Sequence, residues 1–329
     1  MSSHVKFLFS LQRGWRALVL LAGVFGACFA TWAQNWPVKP IRMLVAFPPG
    51  GPTDLVSRVI AQRLSEQLGQ PVLIDNKPGA GGNIAAEMAA NAPADGYTLF
   101  YNTSAIVIGP ALYGKVNYDT LIDFAPVALT ASVPLVLVVN GKSKINSVAE
   151  LVATMKAQPE KSNYGGSGPA FQFANELFKL KTGAPGEFVQ YKSMSETITA
   201  LISGDLMMSM VDTGPATAHI ASGQLRALAV TSPQRLSSMP QTPTMAELGF
   251  KDIEFRYWSA LFAPAGTPKE IVQKLELEVN RILKQAEVIA QMAAIQVTAT
   301  GSSSQELSKW LAADLLKWNA VAEGALMKK

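Results

Sequence analysis

The stretch "IRMLVAFPPGGPTDLVSRV" (residues 41–59) joins an apolar run to an amphipathic run through a loop of prolines and glycines. Its first seven residues are typical of a strand that is buried on both faces. Apolar residues then recur at three- and four-residue spacing, which predicts a helix capped by Thr53 or Asp54 and stopped at Gly69. The stretch therefore predicts a strand, a glycine-rich turn and a helix.

The pattern of strand and helix continues along the chain. Strands are predicted at 71–76 and 97–103, with a helix over 83–92 between them. A βαβαβ order implies a parallel, doubly wound sheet. Residues 134–231 repeat the alternation and favour a second α/β unit with its own sheet. C-terminal helices are predicted over 268–286 and 304–324.

These elements predict an α/β protein with two lobes and a ligand cleft between two doubly wound sheets. The segments 128–134 and 256–266 are the predicted crossings between the lobes. Domain I then comprises residues 34–132 plus 258–329, and domain II comprises residues 133–257.

The first 33 residues are typical of a secretory signal peptide. A basic region with Lys6, Arg13 and Arg16 precedes an apolar run over 17–30, and Thr31-Trp32-Ala33 resembles a cleavage site. The apolar run is shorter than the roughly 20 residues that span a bilayer. Cys28 raises lipidation as a weaker alternative. We therefore predict export to the periplasm.

Removal of this leader changes the composition of the chain. The leader holds three of the 28 basic residues, none of the 24 acidic ones, one of two histidines and the only cysteine. A nearly neutral mature chain without thiols argues against nucleic-acid binding, a disulfide scaffold and cysteine-ligated metal. His219 alone leaves little room for a histidine-based metal or catalytic site. We predict no cofactor and no metal.

Four loops follow predicted strands and precede predicted helices, at 47–53, 78–82, 103–109 and 165–169. Ligands of open α/β sheets bind outside the carboxyl ends of the strands, where helix N-termini point. Glycines let the backbone approach a ligand, and free N–H groups with the helix dipole favour an anion. Alternatively, the glycines of any one loop serve only to turn the chain. Phosphate-binding fingerprints do not fit, because no lysine follows Gly51 as a Walker loop requires.

Two residues carry alternative interpretations. Ser167 lies in "GGSGP" (165–169), which resembles a nucleophile elbow except for Pro169. A secreted α/β hydrolase that uses Ser167 with His219 is therefore the alternative function. Asp212 ends an apolar strand, where it either caps the next helix or accepts from an amine or hydroxyl of a ligand. Aromatic residues that could floor a cleft are Phe47, Tyr164, Phe171, Tyr191 and Trp258.

Long blocks of the chain resemble a known family. The blocks include "WPVKPIRMLVAFPPGGPTD" (36–54), "QPVLIDNKPGAGGNIAA" (70–86), "ADGYTLFYNTS" (94–104) and "LFAPAGTPKEIVQKL" (261–275). They are similar to the Bug family, the extracytoplasmic solute receptors of tripartite tricarboxylate transporters. The resemblance implies a two-lobed, type II-like periplasmic binding protein fold and no catalysis. It also implies a monomer that closes around a small organic anion and delivers it to an integral-membrane permease.

The resemblance also bears on the site. It implies that the ligand carboxylate meets the loops after Phe47 and Lys77, with the Ser167 loop and Asp212 on the opposite wall. One departure is visible: "GGSGPAFQFANELF" (165–178) is about two residues shorter than the family loop and carries Phe171 and Phe173, which indicates a less polar subsite. The expected ligand is a di- or tricarboxylate, an aromatic carboxylate or an amino acid. The candidate ligand-binding residues are Phe47, Gly50, Gly51, Thr53, Gly81, Asn102, Thr103, Ser104, Ser167, Gly168, Ala170 and Asp212.

Overall fold

The structure is a computed structural model that describes residues 36–113, 115–295 and 297–326. The predicted signal peptide lies outside the described residues. Within the described ranges, no helix is both long enough and apolar enough to cross a membrane.

Strands and helices alternate along most of the chain. The described strands are β1 (Ile41–Val45), β2 (Val72–Asn76), β3 (Thr98–Thr103), β4 (Phe124–Asn140), β5 (Tyr164–Gly166), β6 (Phe188–Gln190), β7 (Ser209–Asp212), β8 (Leu225–Val230), β9 (Arg256–Pro264) and β10 (Thr298–Ala299). The described α-helices are α1 (Pro52–Leu68), α2 (Asn83–Ala90), α3 (Ala105–Tyr113), α4 (Val148–Ala157), α5 (Pro169–Thr182), α6 (Met194–Ser203), α7 (Thr213–Ala221), α8 (Lys269–Ile282), α9 (Ala286–Ala294) and α10 (Ser304–Leu326).

The first lobe is built on a mixed sheet with the order β10-β4-β9-β3-β1-β2. Its β2, β1 and β3 are parallel, as the βαβαβ pattern predicts. β9 pairs antiparallel with both β3 and β4, so the sheet is parallel only at one end. The crossover helices α1 and α2 leave the carboxyl ends of β1 and β2 and bring glycine-rich turns to that edge.

The second lobe shares β4 with the first. β4 pairs with β9 up to Pro134 and with β7 and β8 from Leu135 onward. β5 and β6 form a parallel pair, and a bridge between Tyr164 and Met208 places β5 beside the segment that leads into β7. The two predicted sheets are therefore joined into one continuous sheet, with helices and strands in a two-lobed α/β arrangement.

The predicted cap of α1 is wrong. Gly51 is the N-cap and Pro52 the first helical residue, and neither Thr53 nor Asp54 caps the helix. Asp54 instead accepts from the Gly50 N–H at 2.9 Å and from Arg58 Nε at 2.8 Å. Burial alone would raise the pKa of Asp54, but these bonds and one from Asn76 keep it below its usual value. The carboxylate thus fixes the loop before the helix.

Two helices were not predicted. The helix predicted over 268–286 ends at Ile282, and α9 follows after a three-residue turn. The turn 283–285 holds neither glycine nor proline, so nothing in its sequence marks the break. α3 was missed because residues 105–113 are apolar almost throughout and carry Pro110.

A buried hydroxyl cluster joins three neighbouring strands of the first lobe. The Tyr101 hydroxyl lies 2.6 Å from Thr130 Oγ1 and 2.8 Å from Ser259 Oγ. These residues belong to β3, β4 and β9, and all three side chains are buried or nearly so. Because buried hydroxyls need partners, the cluster fixes the strands at the level where the chain passes to the second lobe.

Removal of the Tyr101 hydroxyl should therefore destabilise the fold. We expect Tyr101→Phe to lower the free energy of unfolding by about 1–3 kcal/mol, because Ser259 Oγ loses a buried partner. Tyr97→Phe is the control, since the one hydrogen bond of the Tyr97 hydroxyl within the described residues comes from the exposed Val38 N–H. Urea unfolding measures both variants, and equal losses would contradict a special role for the buried cluster.

Candidate ligand-binding cavity

A cavity of about 340 Å³ lies between the two lobes. Its floor comes mainly from the first lobe, through Val56, Ala131, Val133, Ile295 and Val297. Tyr257 and Ser259 of β9 line it where the chain passes between the lobes. The cavity therefore occupies the position that the sequence predicts for the ligand cleft.

The amino ends of four helices meet at this cavity. Wall residues at these ends are Pro52 and Thr53 of α1, Ser167 and Phe171 at α5, Met194 of α6, and Asp212, Gly214 and Pro215 at α7. Only α6 has a side-chain cap, in which Ser193 accepts from the Glu196 N–H. α1, α5 and α7 have no such cap. First-turn N–H groups lack partners farther back in their own helix, and because Pro52, Pro169 and Pro215 have no N–H, the remaining first-turn amides are the backbone donors at these three ends.

The charge of the wall favours an anion without supplying a cation. Among the described residues that line the cavity, none is Lys, Arg or His, and Asp212 is the one carboxylate. Each helix amino end carries the equivalent of about half a positive charge. Several such ends around one cavity can attract an anion without a basic side chain.

Tyr257 lies on the cavity wall beside residues of the first lobe. Burial and the nearby Asp212 raise the pKa of its hydroxyl above the usual value, although hydrogen bonds with Thr103 and Thr53 act in the opposite direction. The phenol is therefore a neutral hydrogen-bond donor at physiological pH. The Tyr257 ring also lies nearly parallel to Phe171, at 13° with 6.2 Å between ring centroids.

Asp212 is the N-cap residue of α7, as one interpretation of the sequence predicts, but its side chain makes no capping hydrogen bond. The carboxyl lines the cavity, and burial raises its pKa to about 7. Asp212 is therefore partly protonated near neutral pH and can donate as well as accept.

The structure brings three of the predicted site residues onto the cavity wall, namely Thr53, Ser167 and Asp212. The Gly50 N–H is already bonded to Asp54, and positive φ belongs to Gly50 at 82°, not to Gly51 at −78°. The Phe47 carbonyl accepts from Asn76 Nδ2 at 3.0 Å. These loop residues do not line the cavity.

Other predicted residues lie at the ends of β2, β3 and β5. Asn102, Thr103 and Ser104 are buried, and the structure gives no partner to Asn102 Nδ2 or Ser104 Oγ. Gly81 lies in the 3₁₀ turn Ala80–Gly82. Gly168 is the N-cap of α5, and Ala170 is buried in the core behind it. None of these residues lines the cavity.

The catalytic alternative lacks the histidine base that the sequence suggests. Ser167 lines the cavity, but His219 lies on α7 with its Nδ1 atom 2.8 Å from Gln224 Oε1. No hydrogen bond joins Ser167 to His219 among the described residues. The described part of the chain also holds no cluster of three or more His, Cys, Asp or Glu residues suited to a metal ion.

Sequence reasoning missed Tyr257 and the apolar floor. Successive strand residues face opposite sides, so Tyr257 faces the cavity while the neighbouring Trp258 is 1% exposed and donates to Asp314. Trp258 was among the predicted cleft aromatics, and this alternation could have pointed to Tyr257 instead. Of the other predicted aromatics, Phe171 lines the cavity, whereas Tyr164 is buried and donates to Glu176 at 2.7 Å.

The two-lobed α/β arrangement with a cavity between the lobes is the architecture of periplasmic binding proteins. The model of the tripartite tricarboxylate transporter family receptor, TctC, matches residues 56–325. The chain belongs to this family. It is 35% identical over 321 residues to protein BugT of Bordetella pertussis, across 94% of this chain and 98% of that protein.

Solved structures agree with this assignment. An R. palustris protein solved with adipate is 34% identical and superposes with a TM-score of 0.75, over 88% of this chain and 98% of that one. MatC from Rhodopseudomonas palustris, with bound malate, is 27% identical with a TM-score of 0.74, over 88% of this chain and all of that one. Members of the family are periplasmic solute receptors.

The raised pKa of Asp212 predicts a pH-dependent stability. Between its ordinary value of 3.8 and about 7, the folded state holds a proton that the unfolded state releases. Stability should therefore fall as pH rises through this window. We expect Asp212→Asn to flatten the decline of melting temperature between about pH 4 and pH 8, and to melt above the wild type at pH 8.

Asp75 provides a control of opposite sign. Burial alone would raise its pKa, but Arg42 and Lys77 hold it below its usual value. Asp75→Asn should therefore lower the melting temperature at pH 8. An Asp212→Asn variant that melts below the wild type at pH 8 would contradict a raised pKa for the buried Asp212 carboxyl.

Proposed function

We propose that this chain is an extracytoplasmic receptor that binds a small organic carboxylate in the interlobe cavity and delivers it to a tripartite tricarboxylate-type membrane permease. The observation that carries the proposal is the convergence of four helix amino ends on a cavity whose described wall holds no basic side chain. Two related structures that contain adipate and malate support a carboxylate as the ligand. The proposal places the protein in the periplasm as a monomer without catalytic activity.

The wall can supply the binding energy that such a receptor needs. Micromolar affinity corresponds to about 8 kcal/mol. Charge-assisted hydrogen bonds contribute about 1.5–3 kcal/mol each, partly offset by the entropy of association. The N–H groups of the first turn of α1, the Ser167 hydroxyl and the Tyr257 hydroxyl are donors of this kind on or beside the wall.

The proposal also includes the division into two domains, residues 34–132 plus 258–329 and residues 133–257. β4 changes its partners at Pro134 and Leu135, close to the first boundary. Bending at this level and at the start of β9 would close the lobes on a ligand. Closure requires that the ligand binds the closed form more tightly than the open one.

A thermal-shift screen separates the receptor from the hydrolase. We expect at least one carboxylate among adipate, malate, hexanoate and phenylacetate to raise the melting temperature, because a ligand that binds only the folded state stabilises it. The same protein should not turn over p-nitrophenyl acetate. Ester turnover that Ser167→Ala abolishes would overturn the receptor function in favour of the hydrolase.

A charge placed at the amino end of α1 tests the source of anion affinity. Thr53 is the second residue of α1 and lines the cavity. We expect Thr53→Asp to weaken carboxylate binding by about one to two orders of magnitude, since two like charges then share one site. The nearly isosteric Thr53→Asn should cost less than about tenfold, the loss of one hydrogen bond.

The two Thr53 variants also differ in their expected stability. An acidic residue in the first turn interacts favourably with the helix dipole, so Thr53→Asp should not melt below Thr53→Asn. Titration calorimetry and a melting curve for each variant give both quantities. Equal carboxylate affinities for Asp and Asn would show that the anion binds elsewhere.

A further inference from the structure

A second cavity lies behind β9, on the face of the strand that is turned away from the proposed ligand site. It has a volume of about 530 Å³ and is lined by Glu254 and Arg256 on one side and by residues of α10 within 306–318 on the other. Tyr257 lines the ligand cavity, so its neighbours Arg256 and Trp258 face the opposite side of the strand. We call this second cavity the rear groove.

The helix that forms one wall of the rear groove contacts both lobes. Asp314 of α10 accepts from Trp258 Nε1 in β9 at 2.9 Å. One turn later, Trp318 packs its ring against Phe173 of α5, with 5.9 Å between centroids, and against Phe255, at 5.2 Å. In the proposed division α10 and Trp258 belong to the first lobe, whereas Phe173 and Phe255 belong to the second. The rear groove therefore lies on the boundary between the lobes.

Trp310 stands between the two walls of the rear groove. Its indole N–H donates to Asp314 at 3.2 Å, which orients the ring on α10. The Arg256 guanidinium of the opposite wall lies over this ring, 5.7 Å from its centroid, and donates to Glu254 at 2.9 Å. Packed side chains are nearly incompressible. The Trp310 ring therefore limits how closely the two walls can approach each other.

A hinge moves the elements on its two faces in opposite directions. When the lobes bend at the start of β9 and close the ligand cavity, the walls of a groove on the other face move apart. When the lobes open, those walls approach each other, so a side chain that fills the groove opposes opening. The apparent dissociation constant is the intrinsic constant of the closed form divided by the closed fraction. A residue that never touches the ligand can thus change the affinity.

We propose that Trp310 is a positioning residue for ligand binding, a spacer in the rear groove that limits how far the lobes open and so raises the affinity of the ligand cavity. The inference rests on the proposed function, because it requires lobes that close on a ligand. Among the described residues, none that lines the rear groove also lines the ligand cavity. An effect of Trp310 on binding is therefore transmitted by the angle between the lobes.

Substitutions that fill or empty the rear groove should change the affinity in opposite directions. Ala313 is an exposed residue of α10 that lines the groove. For whichever of adipate, malate, hexanoate and phenylacetate binds the wild type most tightly, Ala313→Trp should lower the dissociation constant at least about threefold. Trp310→Ala should raise it at least about threefold. Ala320→Trp is the control, since Ala320 is exposed on α10 outside the groove, and it should leave the constant unchanged.

The distance between the lobes separates a spacer from a residue that only stabilises the fold. Apart from Cys28 in the predicted leader, the chain has no cysteine, so spin labels can be attached at Leu55→Cys and Ser195→Cys. Both are exposed residues in the first turns of α1 and α6, which meet at the ligand cavity from different lobes. In the absence of any carboxylate, Ala313→Trp should shift the label distances toward those of the saturated wild type. Trp310→Ala should shift them to longer values, as pulsed electron paramagnetic resonance would show.

The outcomes distinguish this inference from the proposed function. Unchanged affinities and label distances in both groove variants would overturn the role of Trp310, and so would a Trp310→Ala variant that melts lower without a longer label distance. A wild type that binds a carboxylate without any shortening of the label distance would also overturn it, while the receptor function would stand. Failure of all four carboxylates to bind the wild type would count against the proposed function itself, and this inference would fall with it.

Discussion

The sharing of β4 between the lobes is the constraint on which the rest of the structure depends. One half of this strand pairs with β9 and the other half with β7 and β8. The same strand is therefore part of the sheet in both lobes. The sheet edges from which α1, α5 and α7 leave are thereby turned toward one another. The hydroxyl cluster of Tyr101, Thr130 and Ser259 joins β3, β4 and β9 close to the point where β4 changes its partners. The cavity exists because these edges face each other.

An anion site made of helix ends has different properties from one made of basic side chains. Backbone N–H groups have fixed positions, so a ligand meets donors that need no side-chain ordering on binding. They also carry no full charge. Burial raises the pKa of Asp212, and no cation on the described wall opposes that effect.

The sequence predicts the fold more fully than it predicts the site. Periodicity and glycine-rich turns locate β1, α1, β2, α2 and β3 to within a few residues, because each element follows local rules. The sequence predicted Thr53, Ser167 and Asp212 as site residues because loops after strands and helix starts are local features. It did not predict Tyr257, Ile295 and Val297, since their place on the cavity wall depends on how distant segments pack. The cap at Thr53 or Asp54 failed for a related reason: Asp54 is held by Arg58 and by Asn76 of β2, a contact that no local pattern reveals.

In the proposed receptor, helix amino ends and not basic side chains hold the ligand. A crystal structure of the protein with the tightest-binding carboxylate of the panel tests this most directly. We expect a carboxylate oxygen within hydrogen-bonding distance of the first-turn N–H groups of α1, directly or through one water, with no Lys or Arg nitrogen within about 4 Å. A carboxylate paired with a lysine or arginine, or bound outside the cavity lined by Thr53, Asp212 and Tyr257, would contradict it.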